Sequence, residues 1–338
     1  MPDMKTPGYA KAGLVNFEDI PVIDLSTIDT EQGRTQIAAE LVHTAKTIGF
    51  FYISNHGIAA EICAKAFTAS RRFFALPVSD KTSIEVNQHQ RGWMAQGMAN
   101  LEGSKTYDAK EVFFWGLDVT DDDPDVIAGL PMVHPNQWPD HVAPFLRRDI
   151  MPYYNAVLDL SRKILAALAI GLGQSADMFH AAYQKPLGRG QLVYYPTLNK
   201  TDIDAERFGA AAHSDFGVLT ILMQDNLGGL QVQRRDGEWI EATPIDGTLV
   251  CNIGDLLERW TNGMLISTKH RVLNRSSQNR FSIPIFCDPA SDAIIDPRDF
   301  DPDADIGTYP PISAGDYIMG RNQRNFAQYE ATDGTDTK

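Results

Sequence analysis

The first half of the chain is dominated by apolar residues at helical spacing. They recur every three to four positions over residues 31–48, and Gly49 marks the end of this predicted helix. The same spacing predicts a second helix over residues 59–74 and a long one over residues 140–172. The acidic, proline-rich stretch 118–139 has no clear period and is predicted to be an irregular connection. This half is therefore expected to be mostly helical.

Short runs of strand length complete the pattern. Residues 20–25 and 50–53 are apolar runs that predict two early strands. After residue 190, β-branched and aromatic runs alternate with turn signals such as Asp246-Gly247. The strands predicted in this second half are residues 191–195, 218–224, 230–233, 239–241, 248–253, 271–272 and 281–286. Many short strands without helices between them favour a jelly-roll sandwich or small barrel, so we expect a mainly β protein with flanking α-helices.

The domain organisation follows from these patterns. At 338 residues the chain can bury a sizeable core. It divides into a mixed α/β N-terminal region, a long connecting helix region, a β core and a C-terminal segment. These regions span residues 1–139, 140–190, 191–290 and 291–338. We expect them to form one compact structural unit.

Charge and cysteine content narrow the classes of function. The net charge of −14 and the pI of about 4.9 disfavour nucleic acid as a partner, because a phosphate backbone attracts a basic surface. The three cysteines are far apart, which argues against a disulfide framework and a structural zinc site and indicates a reducing compartment. Residues 1–16 show no secretory pattern, and no apolar run could span a bilayer. We expect a cytoplasmic protein without a membrane partner; the sequence leaves the oligomeric state open.

A candidate metal site begins with His213-Ser214-Asp215 in the β half. Residues two apart in an extended chain point the same way, so His213 and Asp215 can bind one ion together. A third ligand from a distant strand, His270, would complete one face of an octahedron. Two imidazoles and one carboxylate that leave three adjacent positions open suit Fe(II) oxygen chemistry. O₂ would take one position and a bidentate oxoacid the other two.

The H-x-D motif alone is a weak signal. With eight histidines, roughly one such motif is expected by chance. Zinc is the rival metal, although a structural zinc site prefers four closed ligands and usually thiolates. Ten residues after His270, Arg280 and Ser282 share one face of a predicted strand and together suit a carboxylate. This pair favours a bound oxoacid and disfavours a zinc hydrolase on a similar barrel.

These residues stand in a pattern that resembles the isopenicillin N synthase-like family of Fe(II)/2-oxoglutarate dioxygenases. The resemblance covers nearly the whole chain. Its motifs in the first half are residues 20–25, 49–57, 73–77, 91–93 and 135–139. Its more specific motifs in the second half, in the family's order, are His213-Ser214-Asp215-Phe216-Gly217, Leu219-Thr220-Ile221-Leu222, Gly228-Gly229-Leu230-Gln231-Val232, Asn252-Ile253-Gly254-Asp255, Ser267-Thr268-Lys269-His270-Arg271-Val272 and Arg280-Phe281-Ser282.

The resemblance implies a fold and an iron chemistry. The core would be a double-stranded β-helix of jelly-roll, cupin-like type with flanking helices. His213, Asp215 and His270 would be the ligands of Fe(II), with 2-oxoglutarate and O₂ as co-substrates. The implied reaction oxidises an unactivated C–H bond of a small molecule and releases succinate and CO₂. Hydroxylation is the leading outcome, and desaturation or oxidative cyclisation is open.

The resemblance also implies a co-substrate pocket. Arg280 and Ser282 would bind the distal carboxylate of 2-oxoglutarate, and Tyr195 matches a tyrosine that contributes to the same pocket. Many members have an asparagine two residues before that tyrosine, whereas this chain has Val193. The change removes the usual hydrogen bond near the metal-binding end of the co-substrate.

Aromatic residues near the motifs are candidate substrate contacts. Phe216 directly follows a candidate ligand, and Phe114 and Trp115 fall in the region that contacts substrate in relatives. Packing in the core is the alternative for each of them. For the chain as a whole, the alternative is a catalytically inactive metal-binding or sensor protein on the same fold, which the intact ligand set and the Arg280/Ser282 pair disfavour.

Overall fold

The computed structural model of the chain describes residues 11–13, 20–99 and 106–326. Most of residues 1–16, over which the sequence predicts no secretory signal, lies outside the described residues. So does the end of the predicted C-terminal segment, residues 327–338. No helix in the described part is both long and apolar enough to cross a bilayer.

The described residues form eight α-helices and fourteen β-strands. The helices are α1 (Glu31–Thr47), α2 (Ala60–Phe74), α3 (Val78–Thr82), α4 (Pro124–Ile127), α5 (Phe145–Gly171), α6 (Lys200–Asp204), α7 (Asp255–Trp260) and α8 (Ala314–Asn325). The strands are β1 (Val22–Asp24), β2 (Phe50–Ser54), β3 (Gly92–Met94), β4 (Glu111–Trp115), β5 (Arg189–Tyr195), β6 (Ala210–His213), β7 (Leu219–Gln224), β8 (Leu230–Gln233), β9 (Trp239–Glu241), β10 (Leu249–Ile253), β11 (His270–Val272), β12 (Arg280–Cys287), β13 (Ile294–Ile295) and β14 (Ile312–Ser313).

Two sheets make the core. The larger has eight strands in the order β1-β2-β10-β7-β12-β5-β4-β3, and only β1 and β2 pair in parallel. The smaller has four antiparallel strands in the order β6-β11-β8-β9. A two-stranded ribbon, β13-β14, lies outside them. Strands distant in sequence, such as β2 and β10, are thereby neighbours.

The two faces of the large sheet bury different partners. On one face, side chains such as Phe51 and Ile221 pack with residues of α1, α2 and α5 in the main hydrophobic core. On the other face, Phe50 and Val193 pack in a second cluster with Leu230 and Val272 of the small sheet. Successive residues of each strand pack alternately into the two clusters, because successive side chains of a β-strand point to opposite faces. The molecule is therefore layered as helices, large sheet and small sheet, and the predicted mainly β jelly-roll with flanking helices is confirmed.

The long helix starts later than its apolar pattern predicts. Residues 140–143 form a turn in which the N–H groups of Val142 and Ala143 donate to the carbonyl of Pro139. Pro144 then occupies the position before α5. A proline cannot donate a helical hydrogen bond and fits best at a helix start. The predicted start at residue 140 is therefore wrong by five residues, whereas α1 and α2 match their predictions within one residue at either end.

The expectation of a mostly helical first half is also too simple. Four strands, β1 to β4, come from it and join the large sheet at its two ends. The sequence pattern misses β3 because three residues are too few to show a period, and β4 because a short apolar run is ambiguous. Likewise, the pattern predicts no helices between the strands of the second half, yet α6 and α7 lie there. Both have only five or six residues, below the length at which periodicity is visible.

Candidate metal centre and co-substrate cavity

Strand pairing in the small sheet brings the candidate ligands together. His213 is the last residue of β6 and His270 the first of β11, and the antiparallel register places them opposite each other. Asp215 follows β6 by two residues. Its Oδ1 lies 3.9 Å from Nε2 of His213 and 3.6 Å from Nε2 of His270. One ligand atom from each of the three residues lies within 4.8 Å of the others, so the three can share one ion.

The backbone fixes which nitrogen of each imidazole faces this point. Nδ1 of His213 lies 2.7 Å from the carbonyl oxygen of Ala211, and Nδ1 of His270 lies 3.3 Å from that of Thr268. A carbonyl oxygen only accepts, so Nδ1 carries the proton in each ring. The Nε2 lone pairs are then free to bind a metal. Such a contact from the second ring nitrogen is the usual way in which a protein orients a histidine ligand.

Two polar side chains from the large sheet orient Asp215. Thr220 on β7 donates to its Oδ2 at 2.5 Å, and Asn252 on β10 donates to the same oxygen at 2.7 Å. Oδ1 is thereby left to face the two imidazoles. Burial raises the pKa of the Asp215 carboxyl, but His270, His213 and the two hydrogen bonds outweigh burial and hold the pKa below its ordinary value. The carboxyl is therefore charged, as a metal ligand must be.

His213 is held in the neutral form. Burial and the neighbouring His270 imidazole lower the pKa of His213 to about 3. The two rings lie 4.3 Å apart between centroids, so a proton on one would repel a proton on the other. Only a neutral imidazole offers a lone pair to a metal. The donor set of two imidazoles and one carboxylate fits Fe(II) with open positions.

Glycine lets the loop after Asp215 pass close to the start of α7. The N–H of Asp255 donates to the carbonyl of Asp215 at 2.8 Å, and the N–H of Leu256 donates to that of Gly217 at 2.9 Å. A Cβ added at Gly254 would lie only 2.2 Å from the Gly217 carbonyl oxygen. This close contact holds the loop, and therefore the candidate ligand Asp215, against the start of α7.

We expect Asn252→Ala to weaken Fe(II) binding by about 10- to 100-fold, because contacts that orient a ligand typically have effects of this size. Without the amide, Asp215 loses one of the two donors that hold Oδ2. Anaerobic titration of the protein with Fe(II) measures the effect. Asn226→Ala, in an exposed turn, is the matched control. Equal affinity of the two variants would contradict this role for Asn252.

Arg280, Ser282 and Tyr195 meet on the large sheet at the same cavity. Arg280 and Ser282 lie two apart on β12, and both are 1% exposed. Tyr195 on β5 pairs with Arg280, whose guanidinium carbon lies 4.8 Å from the centre of the tyrosine ring. The structure therefore brings together the three residues that the sequence associates with a carboxylate.

One nitrogen of the Arg280 guanidinium makes no hydrogen bond to the described part of the protein. Nε donates to the carbonyl of Gly228 at 2.6 Å, and Nη2 donates to Gln224 at 3.2 Å. Nη1 is buried and has no hydrogen-bond partner within the described residues. A buried donor without an acceptor is costly, and a charged one more so. The arrangement fits a bound carboxylate, which is the group that the distal end of 2-oxoglutarate supplies.

The cavity continues past the candidate ligands into an aromatic chamber. Phe114 and Phe216 line it, together with Phe286 and Phe326. Trp115 does not: it is buried in the main core and packs against Tyr154 on α5. Successive residues of a strand point to opposite faces, so Phe114 and Trp115 of β4 could not both face the cavity. This position corrects the expectation that Trp115 contacts substrate.

Sequence reasoning missed several residues that line or support the cavity. Thr220 and Asn252 stand within recognised motifs, but nothing in their spacing links them to Asp215. Asn322 comes from α8, which the sequence analysis did not predict. Lys110 could have been found, because it lies two and four positions before Val112 and Phe114 on the cavity side of the chain.

Two family models match the chain. The model described as non-haem dioxygenase in morphine synthesis N-terminal matches residues 20–141. The model of the 2OG-Fe(II) oxygenase superfamily matches residues 189–289. The second match contains all six residues of the candidate metal and co-substrate sites. Together the two models cover more than half of the chain.

Similar proteins agree with the family models. The chain is 37% identical over 300 residues to a "Probable iron/ascorbate oxidoreductase" of Dictyostelium discoideum, covering 81% of this chain and 82% of that protein. It is 32% identical over 321 residues to a 2-oxoglutarate-Fe(II) type oxidoreductase of Emericella nidulans, covering 92% and 91%. The crystal structure of a full-length Neurospora crassa protein in complex with alpha-KG has a TM-score of 0.78 and 30% identity, covering 91% of this chain and 97% of that one. The same Neurospora crassa protein has also been solved with alpha-KG and thymine.

The family models and these relatives agree with the geometry of the site. The superfamily model and the Emericella nidulans relative name Fe(II) and 2-oxoglutarate. The donor set of two histidines and one aspartate fits this metal. Nη1 of Arg280, which has no hydrogen-bond partner within the described residues, fits a carboxylate of this co-substrate. The Neurospora crassa structure holds that co-substrate. The chain therefore belongs to the 2OG-Fe(II) oxygenase superfamily, in its isopenicillin N synthase-like branch, and is an oxidoreductase that uses Fe(II), 2-oxoglutarate and O₂.

Proposed function

We propose that this enzyme hydroxylates an unactivated C–H bond of a small molecule, with Fe(II) held by His213, Asp215 and His270. One observation carries the proposal: three ligand atoms converge within 4.8 Å in a cavity that Arg280 also lines, and Nη1 of Arg280 has no hydrogen-bond partner among the described residues. Two imidazoles and one carboxylate leave positions for O₂ and a chelating oxoacid. Desaturation and oxidative cyclisation would use the same ligands, and product analysis distinguishes them.

In this proposal, Arg280, Ser282 and Tyr195 hold the distal carboxylate of 2-oxoglutarate. Nη1 of Arg280 donates to it, and a hydrogen bond between a guanidinium and a carboxylate is among the stronger ones in proteins. The Ser282 hydroxyl adds a second donor from the same face of β12. Fixing this end of the molecule orients its other end toward Nε2 of the histidines and Oδ1 of Asp215.

When bound, iron and 2-oxoglutarate supply the oxidising chemistry, in which O₂ is consumed and succinate and CO₂ are released. The chain contributes binding, orientation and the exclusion of water. Thr220 and Asn252 hold Asp215 by its Oδ2, and backbone carbonyls hold the two imidazoles by Nδ1. Because the cavity lies between two packed sheets, these groups need little rearrangement during the reaction.

The aromatic chamber supports a small, flat and polar substrate. Its lining combines aromatic rings with polar groups, which is typical of a site for a small molecule. Phe216 and Phe286 line the chamber with aromatic rings, and the side-chain carbonyl oxygen of Asn322 is buried without a hydrogen-bond donor within the described residues. The Neurospora crassa protein solved with thymine provides a precedent for a single heterocyclic base. We propose a substrate of this size that offers an N–H or O–H donor to Asn322.

Succinate release tests the reaction and the substrate class together. The Fe(II)-loaded enzyme is supplied with 2-oxoglutarate, O₂ and one compound at a time from a panel of nucleobases, nucleosides and free amino acids. We expect a flat heterocycle to raise succinate release above the rate without substrate, with a product heavier by one oxygen atom. A product lighter by two hydrogen atoms would indicate desaturation or cyclisation. Binding of Fe(II) and 2-oxoglutarate without succinate release from any compound would contradict catalysis and favour a sensor.

A further inference from the structure

Lys110 brings a buried positive charge to the cavity that the assigned chemistry does not use. The residue precedes β4, and its side chain is 10% exposed. It lines both the part of the cavity around Arg280 and the part around Phe216. Among the described residues that line the part around Arg280, only Lys110 and Arg280 are lysine or arginine residues. A lysine is almost never buried without a partner or a function.

Asp108 fixes the ammonium group in place. Its Oδ2 lies 2.9 Å from Nζ of Lys110, and its Oδ1 accepts a hydrogen bond from the N–H of Ala211 on β6 at 2.9 Å. Asp108 is the only ion-pair partner of Lys110 within the described residues. An ammonium group carries three N–H donors, and Asp108 contacts it only through one carboxylate oxygen of the ion pair. Donors therefore remain for a molecule in the cavity.

Lys110 lines the same two parts of the cavity as His213 and Asp215. Burial lowers the pKa of Lys110, but Asp108, Tyr195 and Asp215 outweigh it and hold the pKa above its ordinary value, so the group is charged. Its charge also acts on His213. The distal end of the co-substrate site has its own cation, Arg280. Lys110 thus lines the cavity together with His213 and Asp215, two of the candidate metal ligands.

Apart from Lys110 and Arg280, the described residues that line this wall include no lysine or arginine, and Gln191 contributes only an uncharged amide. Val193 and Leu222 line it with apolar side chains. An oxoacid that chelates a metal keeps its carboxylate and keto oxygen at the metal, and the carboxylate oxygen that points away needs a donor. We propose that Lys110 donates this hydrogen bond and positions the chelating end of 2-oxoglutarate. The inference rests on the proposed function, in which the same cavity holds the co-substrate.

Two oxoacids distinguish the ends of the site. 2-Oxoglutarate has a distal carboxylate, whereas 2-oxobutyrate has only the chelating end. The visible absorption band of the Fe(II)–oxoacid complex reports their binding under anaerobic conditions, without turnover. We expect Lys110→Met to weaken both ligands by about 10- to 100-fold, the effect of losing a hydrogen bond to a charged group. Arg280→Ala should weaken 2-oxoglutarate and leave 2-oxobutyrate nearly unchanged.

A second variant guards against a purely structural effect. Lys110→Met leaves the Asp108 carboxylate buried without its partner, which can destabilise the fold. The double variant Asp108→Asn/Lys110→Met removes both charges, and its thermal unfolding shows whether the fold is retained. We expect this folded variant to show the same loss for both oxoacids, whereas Lys110→Arg should recover part of it.

The outcomes separate this inference from the proposed function. Unchanged affinity for both oxoacids in the folded double variant, with a normal band in the unaltered enzyme, would overturn the role of Lys110 alone. Weaker 2-oxoglutarate binding with unchanged 2-oxobutyrate binding would place Lys110 at the distal end and also overturn it. If the unaltered enzyme with Fe(II) and 2-oxoglutarate gave no band, the proposed function itself would fail.

Discussion

Replacing Asp215 with alanine is expected to abolish succinate formation and Fe(II) binding. Its Oδ1 is the carboxylate oxygen that lies 3.9 Å and 3.6 Å from the two imidazole Nε2 atoms, and no other carboxylate joins this cluster among the described residues. Without it, only two imidazoles remain, which bind Fe(II) weakly. His213→Ala and His270→Ala should have the same effect. Anaerobic Fe(II) titration and substrate-dependent succinate release measure the two losses.

The comparison needs a histidine outside the site and a check of the fold. His180→Ala serves as the control, because His180 is exposed, contacts the side chain of Gln184 and is not among the described residues that line the cavity. In Asp215→Ala, Thr220 and Asn252 lose their acceptor, and an unsatisfied buried donor costs roughly 1–3 kcal/mol of stability. Thermal unfolding shows whether this loss leaves the fold intact. Full activity in any one of the three ligand variants would refute the proposed ligand set.

Arg280→Ala is expected to raise the KM for 2-oxoglutarate while the proposed iron ligands stay in place. Truncating one partner of a buried, hydrogen-bonded charge pair costs about 2–5 kcal/mol. This corresponds to a loss of affinity of roughly 30-fold to a few thousand-fold. The guanidinium is 1% exposed, so water cannot replace it easily. Steady-state kinetics at saturating substrate, with 2-oxoglutarate varied, gives the KM.

Two further variants make this result specific. Arg298→Ala removes an exposed arginine that pairs only with Asp296 among the described residues, and it should leave the KM unchanged. Arg280→Lys keeps the charge but loses the fork geometry, so we expect an intermediate KM. Because Nε of Arg280 also supports the Gly228 carbonyl, each variant is compared at a temperature well below its unfolding. A KM that does not change in Arg280→Ala would remove this residue from the carboxylate site.

The sequence predicted the parts of the site that depend on the period of a strand. His213 and Asp215 are two apart, and Arg280 and Ser282 are two apart, so each pair shares a face whatever the wider fold. The meeting of His213 with His270 depends on antiparallel pairing between β6 and β11, which local patterns do not reveal. The resemblance to the family predicted that His213 and His270 share one metal ion. In the structure the two rings lie opposite each other.

What the sequence could not supply depends on register and on distant contacts. Asn252 reaches Asp215 only because β10 pairs with β7 in a register that sets Asn252 opposite Thr220. Phe114 and Trp115 looked equivalent as an aromatic pair, yet the alternation of β4 sends one to the cavity and the other to the helices. Lys110 was overlooked because a lysine next to an apolar run usually faces solvent.

A structure of the anaerobic complex with Fe(II) and 2-oxoglutarate tests the central claim most directly. The account predicts one iron coordinated by Nε2 of His213, Oδ1 of Asp215 and Nε2 of His270, with the distal carboxylate of the oxoacid against Nη1 of Arg280. Iron bound by a different set of side chains, or an oxoacid whose distal carboxylate lies away from Arg280, would contradict it.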